Sequence, residues 1–149
     1  MELEFEKRGI PYLQTLLQEV QNQEQTQELR LGDGMPDLGR ILGTWGQVIL
    51  RSKEWRGDRV SFTGGVMAFI LYAPEDGSEI RTLESWIPFQ MKWNLPSSVP
   101  EGAVRMACRV RFADARSVSP RKILARVGLA ALAEAYVPME AEIPTPENV

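Results

Sequence analysis

Histidine is absent from this 149-residue sequence, and cysteine occurs once, as Cys108. Without histidine the chain lacks the side chain most used for acid–base catalysis near neutral pH, for activating nucleophiles and for holding transition metals. A single cysteine excludes an intrachain disulfide and a cysteine zinc cluster. Both shortages argue against an enzyme, predict no cofactor and favour a reducing, cytosolic compartment.

The sequence also lacks a basic excess and a long apolar run. It has 17 Lys and Arg against 20 Asp and Glu, for a net charge of −3. Nucleic-acid binders normally carry a basic excess, so none is expected as a partner. No segment approaches the ~18 apolar residues of a membrane span, and MELEFEKRGIPYL has no signal-peptide core. We therefore expect a soluble chain that stays in the compartment where it is made, without membrane insertion.

Two apolar runs organise what is present: Arg59–Tyr72 (RVSFTGGVMAFILY) and Thr82–Leu95 (TLESWIPFQMKWNL), joined by a loop rich in Pro, Asp and Gly. Their alternation predicts two strands with one apolar face each. The second half of the first run is apolar on both faces, which predicts burial on both sides. Its Gly64-Gly65 pair predicts a bulge or a close backbone approach, and Pro88 predicts an edge or bulged position in the second strand.

Further strands are predicted on either side of these runs, at Met1–Phe5, Gln21–Arg30, Thr44–Trp55 and Ala103–Phe112. In the last of these, alternation places five residues inward: Val104, Met106, Cys108, Val110 and Phe112. Asp37 is placed to cap a short helical turn over residues 38–42.

Two segments stay open between helix and strand. Ile10–Val20 has apolar residues at helical spacing but also fits a second strand. Ser119–Tyr136 starts with Ser-Pro and is rich in Ala and Leu, which favours a helix, although a period of two fits in part. Pro138–Val149 is rich in Pro and Glu and predicts a disordered tail or a linker.

Six side chains form the candidate partner-binding set: Trp45, Trp55, Trp86, Arg105, Arg109 and Arg111. Alternation places each Trp on the more polar side of its strand and the arginines on the outer face of another. A second layer of structure, a protein partner or a stacked sugar would each account for outward-facing Trp, because monomers seldom expose large apolar patches. A solvated sheet face with acidic neighbours would by itself account for the arginines.

A hydrolase that runs on carboxylates is the enzymatic alternative. Its candidates are Glu54, Asp76 and Glu84, of which the first two lie at polar turns. Paired carboxylates catalyse hydrolysis when an apolar pocket raises the pKa of one of them. No such pocket is evident from the sequence, and no loop has the spacing of calcium ligands. The chain is therefore predicted not to be an enzyme.

Four short motifs occur in a characteristic order: Pro36-Asp37 before Ile41-Leu42, Leu71-Tyr72 before an acidic Gly turn, Ile87-Pro88-Phe89, and Ser119-Pro120-Arg121-Lys122. Together they resemble the SPOCS (spore-coat-associated) domain of endospore-forming Clostridia, which recurs in tandem ahead of a LysM domain. The resemblance covers about residues 29–137. Its motifs are structural rather than catalytic.

The resemblance implies an all-β fold of long antiparallel strands, in a sandwich or partly open barrel, with at most a short helical segment near the N-terminus. One domain would span residues 1–137, with a strand or helix extension over 1–31 and a tail or linker over 138–149. It also implies that Arg121–Tyr136 is a strand paired with Ala103–Ala115, because tertiary context overrides local helix propensity.

For function, the resemblance implies a non-enzymatic protein–protein interaction module in endospore coat assembly, within a larger SPOCS–LysM protein. Related proteins act in the mother-cell cytoplasm at the forespore surface, and their partner is a coat morphogenetic ATPase. Exposed strand edges would support a homo-oligomer. The alternative is a carbohydrate- or peptidoglycan-binding module that uses the exposed Trp residues, although the chain has no LysM domain of its own.

Overall fold

The computed structural model describes residues 5–98 and 102–146, and every regular element in this part of the chain is a strand. The six strands are β1 (Phe5–Arg30), β2 (Leu38–Arg56), β3 (Arg59–Pro74), β4 (Arg81–Asn94), β5 (Ala103–Ser119) and β6 (Lys122–Pro146). The all-β prediction is confirmed. Within the described ranges there is no helix of the length and apolarity needed to cross a membrane.

The strands form two three-stranded antiparallel sheets, β1-β6-β5 and β2-β3-β4, which pack face to face as a sandwich. Inward side chains of β3, β4 and β6 build the core: Val60, Phe62, Val66, Ile70, Tyr72, Ile87, Phe89, Met91, Trp93, Ile123, Val127, Leu129, Ala131, Ala133 and Ala135. Bulky residues on β3 and β4 are combined with a row of alanines on β6, so large and small side chains together fill the space between the sheets.

Lys122–Tyr136 lies in β6, after a turn at Pro120 and Arg121, so the strand that the resemblance implied for Arg121–Tyr136 is present against its helical propensity. β5 and β6 form a hairpin in which Ala103 pairs with Tyr136 and Ala115 with Ala125. Every second side chain from Ile123 onward is buried, so a helix would remove half of this row from the core. Burial along one face therefore decides the structure of this segment.

β1 is a single strand of 26 residues that pairs with β6 along its whole length. Ile10–Val20 is thus a strand and not a helix, with a register shift between Thr15 and Leu17. The helical turn predicted after Asp37 is also wrong, because residues 38–42 begin β2. The prediction for Met1–Phe5 falls mostly on residues outside the described range.

Residues 138–146 differ from the predicted disordered tail. They continue β6 and pair with β1 from Leu13, opposite Pro138, to Phe5, opposite Pro146. Composition suggested a tail because the segment has little to bury, but the long β1 offers it backbone partners instead. Residues 147–149 lie outside the described range.

Two mid-strand bulges decide which face several side chains occupy. One register shift lies between Leu50 and Ser52, so that Trp55 pairs with the inward-facing Val60. Trp55 therefore packs against the core, where unbroken alternation had placed it outward. A bulge inserts one extra residue, so it reverses the alternation of everything beyond it.

The second shift, between Val110 and Phe112, has the same effect on β5. Phe112 pairs with Gly128, which is at an outward-facing position of β6. Phe112 therefore lies on the outer face of the sheet, and the prediction that it faces inward is wrong. In β3 the prediction of burial on both faces is also wrong: Met67, Phe69 and Leu71 are only half-buried. Gly64 does mark a close approach, since a side chain there would overlap the backbone of Ile49.

The Arg121 side chain joins the turn between β5 and β6 to the loop between β1 and β2. Its Nη1 donates to the Met35 carbonyl at 2.5 Å and to Asp37 Oδ1 at 3.1 Å, while Nη2 donates to the Gly32 carbonyl at 2.7 Å. The planar guanidinium suits this arrangement because its donors are fixed in a fork. We call this group of bonds the Arg121 clamp.

Further hydrogen bonds close the same end of the sandwich. The Tyr72 hydroxyl donates to the Pro36 carbonyl at 3.0 Å, and the Leu38 amide donates to the Pro120 carbonyl at 2.8 Å. Burial raises the pKa of Tyr72, so its hydroxyl keeps the proton that it donates. Three of the four sequence motifs thus meet at one end, where they connect loops.

Candidate protein-binding surface

The outer face of the β2-β3-β4 sheet carries the largest aromatic side chains outside the core. Trp45 pairs across the strands with Phe69, and their rings stack with centroids 5.7 Å apart and planes 17° apart. Met67 follows on β3 and pairs with Trp86 of β4. We call Trp45, Phe69, Met67, Trp86 and the neighbouring Arg51 the aromatic strip.

Trp45 is the open end of this strip. Its residue surface is 49 % exposed, while Phe69 and Met67 beside it are half-buried. Each member is on a strand, and β3 is hydrogen-bonded on both sides, so the strip is held on a rigid support. Rigid aromatic side chains lose little conformational entropy on binding.

Trp86 contacts both Gly65 and Arg51. A side chain at Gly65 would overlap the indole. The Arg51 guanidinium carbon is 4.3 Å from the ring centroid, a cation–π arrangement. The indole is therefore half-buried even though it faces outward from the sheet.

The structure brings two of the three predicted Trp residues together and separates the third. Trp45 and Trp86 share the outer face, on either side of β3. Trp55 lies beyond the bulge, turned to the core beside Gly102. Sequence alternation missed this because a bulge leaves no clear mark in composition.

The three candidate arginines lie on β5, in the sheet that does not contain the Trp residues. Arg105 is held by an ion pair of 3.1 Å to Glu134, whose side chain is 10 % exposed. The same carboxylate accepts a hydrogen bond of 2.5 Å from Tyr136, and this bond raises the pKa of the tyrosine. Arg109 and Arg111 are exposed, the latter at the β5 bulge. The six predicted residues are thus not one surface.

Sequence analysis also missed a second aromatic group, on the outer face of the β1-β6-β5 sheet. Phe112 lies over Gly128, with the Arg126 guanidinium carbon 4.8 Å from its ring centroid. Asp114 holds that guanidinium at 3.1 Å and raises the pKa of Arg126. The Phe–Gly pairing across two strands was hidden by the β5 bulge.

The carboxylates that a hydrolase would need lie apart in exposed positions. Glu54 pairs with Arg56 at 2.6 Å, and Asp76 accepts hydrogen bonds from Ser78 that lower its pKa. Glu84 is exposed on β4. In residues 5–98 and 102–146, no three His, Cys, Asp or Glu side chains are grouped so as to hold a metal ion.

Comparison of the chain with models of protein families, with curated proteins and with solved structures gave no match in any of the three. The resemblance to the SPOCS domain therefore stays a prediction from its motifs. The geometry itself offers a flat, rigid aromatic surface, which suits contact with another macromolecule.

Proposed function

We propose that this chain is a non-enzymatic protein-interaction module that binds a protein partner through the aromatic strip. The observation that carries the proposal is Trp45, half-exposed and stacked on Phe69 on a rigid sheet face. Trp and Arg are the residues most enriched at binding hot spots, and a Trp that meets a partner's apolar pocket buries a large area. Arg51, over Trp86, adds a cation next to this apolar surface.

Endospore coat assembly is the proposed setting, with a coat morphogenetic ATPase as the partner in the mother-cell cytoplasm. Support for this setting comes from the SPOCS-like motifs alone. Three of the four motifs tie loops together at one end of the sandwich, the fourth lies within β4, and no motif residue belongs to the strip. In this proposal the motifs maintain the scaffold and the strip makes the contact.

A saccharide is the alternative ligand, and the geometry favours it less. Sugars stack on an open aromatic face, yet the Arg51 guanidinium already lies over the Trp86 ring and Trp55 is turned inward. Of the three predicted Trp residues, Trp45 alone is left with a ring on which a sugar could stack. A flat protein surface can use the whole strip, including the half-buried Met67, so a protein partner uses more of the available apolar area.

Binding of the purified coat ATPase to the immobilised chain tests the proposal. We expect Trp45→Ala to weaken binding at least about tenfold, as hot-spot truncation does. Val118→Ala is the control, because Val118 is exposed to a similar extent, 54 % against 49 % for Trp45, but lies on the other sheet. Equal binding by the two variants would contradict the proposal. A glycan that shifts the Trp fluorescence of the wild type, but not of Trp45→Ala, would favour the alternative.

A further inference from the structure

A groove of about 380 Å³ lies between the edges of β2 and β5. Lys53 bridges these two edges, because its Nζ donates to the Val104 carbonyl at 3.2 Å. The apolar lining comes from Leu50 of β2, Met106 of β5 and the core residue Phe62 of β3. Leu50 is 42 % exposed. The groove therefore leads from the protein surface to an apolar floor.

Three cations border this groove: Arg51, Lys53 and Arg105. Arg105 is bound to Glu134, but neither Arg51 nor Lys53 forms an ion pair with a carboxylate in the described part of the chain. Glu54, next to Lys53 in the sequence, is already held in an ion pair of 2.6 Å. The border of the groove thus carries positive charge that an anionic group would complement.

The groove adjoins the aromatic strip through Arg51, which borders the groove and lies over the Trp86 ring. Ile49 is a second connection between the two surfaces. It is 40 % exposed and pairs with Gly65, so it lies on the same outer face as Trp45. A ligand that covers the strip can therefore continue into the groove without leaving the protein surface.

We propose that the partner of the aromatic strip presents an acidic segment, which continues past Arg51, places a large apolar side chain in the groove and sets a carboxylate beside Lys53. This inference rests on the proposed function, since it names the chemistry of the partner that binds there. Apolar contacts along the strip and the groove would supply most of the affinity. The two cations without a carboxylate partner would select an acidic sequence and orient it.

A protein segment suits this surface better than a small amphiphilic anion. Small ligands are largely enclosed by their pockets, whereas this groove is open at Leu50 and Lys53, which are both exposed. A segment that covers the strip and the groove also buries more apolar area than the groove alone offers. Lys53 already occupies the Val104 carbonyl, so the segment would bind through its side chains and not as a strand added to β5.

Fluorescence anisotropy with two labelled peptides of equal length tests this charge preference in the full chain. One peptide alternates Glu with Leu, and the other has Lys in place of each Glu. We expect the Glu/Leu peptide to bind at least about tenfold more tightly, and Lys53→Glu to remove most of that preference. Leu50→Ala should weaken the Glu/Leu peptide roughly fivefold, because the groove loses part of its apolar wall. Added salt should reduce the preference.

Arg116→Glu is the matched control, because it makes the same charge change at an exposed β5 position outside the groove. Circular dichroism establishes that each variant is folded. Equal affinity for the two peptides, or no binding of either, would overturn the inference. A preference that Lys53→Glu retains as fully as Arg116→Glu would do the same. Dodecanoate that binds through Lys53 while the Glu/Leu peptide does not bind would assign the groove to a small amphiphile, and would also overturn it.

Binding of the coat ATPase separates this inference from the proposed function. Trp45→Ala should weaken the ATPase but keep the preference for the Glu/Leu peptide, because Lys53 and Arg51 remain. Lys53→Glu should weaken the ATPase as well. If Lys53→Glu binds the ATPase like Arg116→Glu while Trp45→Ala binds it poorly, the inference fails and the proposed function stands. If Trp45→Ala binds the ATPase normally, the proposed function fails whatever the peptides show.

Discussion

At the scale of single residues, the same arrangement occurs on both outer faces. An aromatic ring lies against a glycine of the next strand, and an arginine lies over the same ring: Trp86 with Gly65 and Arg51, and Phe112 with Gly128 and Arg126. The ring covers backbone that the glycine leaves bare, and the arginine shields the ring from water. Large rings thereby stay half-buried on faces that have no second layer.

Gly65→Ala tests this arrangement. The added methyl group overlaps the indole of Trp86, so we expect the free energy of unfolding to fall by about 1–3 kcal/mol. Urea denaturation followed by Trp fluorescence measures the change. Gly43→Ala in β2 is the matched control, since a Cβ there meets nothing within 4 Å. Equal midpoints for the two variants would show that Trp86 moves aside freely.

Cys108 gives a prediction about pH. Burial raises the pKa of its thiol, so the native state favours the neutral thiol. The resulting stability is complete below the thiol pKa of the unfolded chain and declines as the pH rises through the native pKa. We expect iodoacetamide to alkylate Cys108 more slowly in the native protein than in urea at pH 7.5, by mass spectrometry. Equal rates would show that the thiol is freely accessible as thiolate.

At the scale of the elements, the sequence was enough to predict the fold class and the inward rows of β3 and β4. Alternation placed Val60, Phe62, Ile70 and Ile87 correctly because no register shift interrupts the pairing of β3 with β4. The candidate site was predicted in part. Trp45 and Trp86 lie together as outward residues, whereas Trp55 does not, because a one-residue bulge depends on the opposing strand and not on local composition.

The Arg121 clamp links two loops that are distant in sequence, and Arg121→Lys tests its contribution. A lysine ammonium cannot reach the oxygens of Gly32, Met35 and Asp37 in one planar fork. Arg121 is partly exposed, so we expect a loss of about 1–2 kcal/mol in the free energy of unfolding, measured with urea. The exposed Arg116→Lys is the control and should leave stability unchanged. A loss shared by both variants would mean that the clamp adds nothing specific.

At the scale of the whole molecule, side chains of each sheet donate hydrogen bonds to backbone carbonyls of the other sheet along both sides of the sandwich. Along one side, inward glutamines of β1 reach the free edge of β4: Gln21 Nε2 donates to the Lys92 carbonyl at 2.8 Å, and Gln23 Nε2 to the Gln90 carbonyl at 3.4 Å. On the other side of the sandwich, Lys53 Nζ donates to the Val104 carbonyl of β5 at 3.2 Å. Edge carbonyls that are already occupied are poor templates for a further strand.

Removing these glutamines should therefore favour aggregation. We expect Gln21→Ala with Gln23→Ala to lower stability by about 1–2 kcal/mol and to speed the rise of light scattering on heating, because the β4 edge is uncovered. The control pair is Gln14→Ala with Gln18→Ala, which changes two exposed glutamines of the same strand. Identical scattering curves for the two pairs would show that the amide bonds do not protect the edge.

The bulges at Arg51 and Arg111 are positions where the deletion of one residue would not shift the register of the sheet. Each arginine is a residue that the ladder does not need, since Leu50 and Ser52 already oppose the adjacent Gly64 and Thr63, and Val110 and Phe112 oppose Leu129 and Gly128. Excising either one would leave every remaining cross-strand pair as it is. Of the two, deletion of Arg111 should leave the sandwich intact, whereas deletion of Arg51 would also remove the cation that lies over the Trp86 ring.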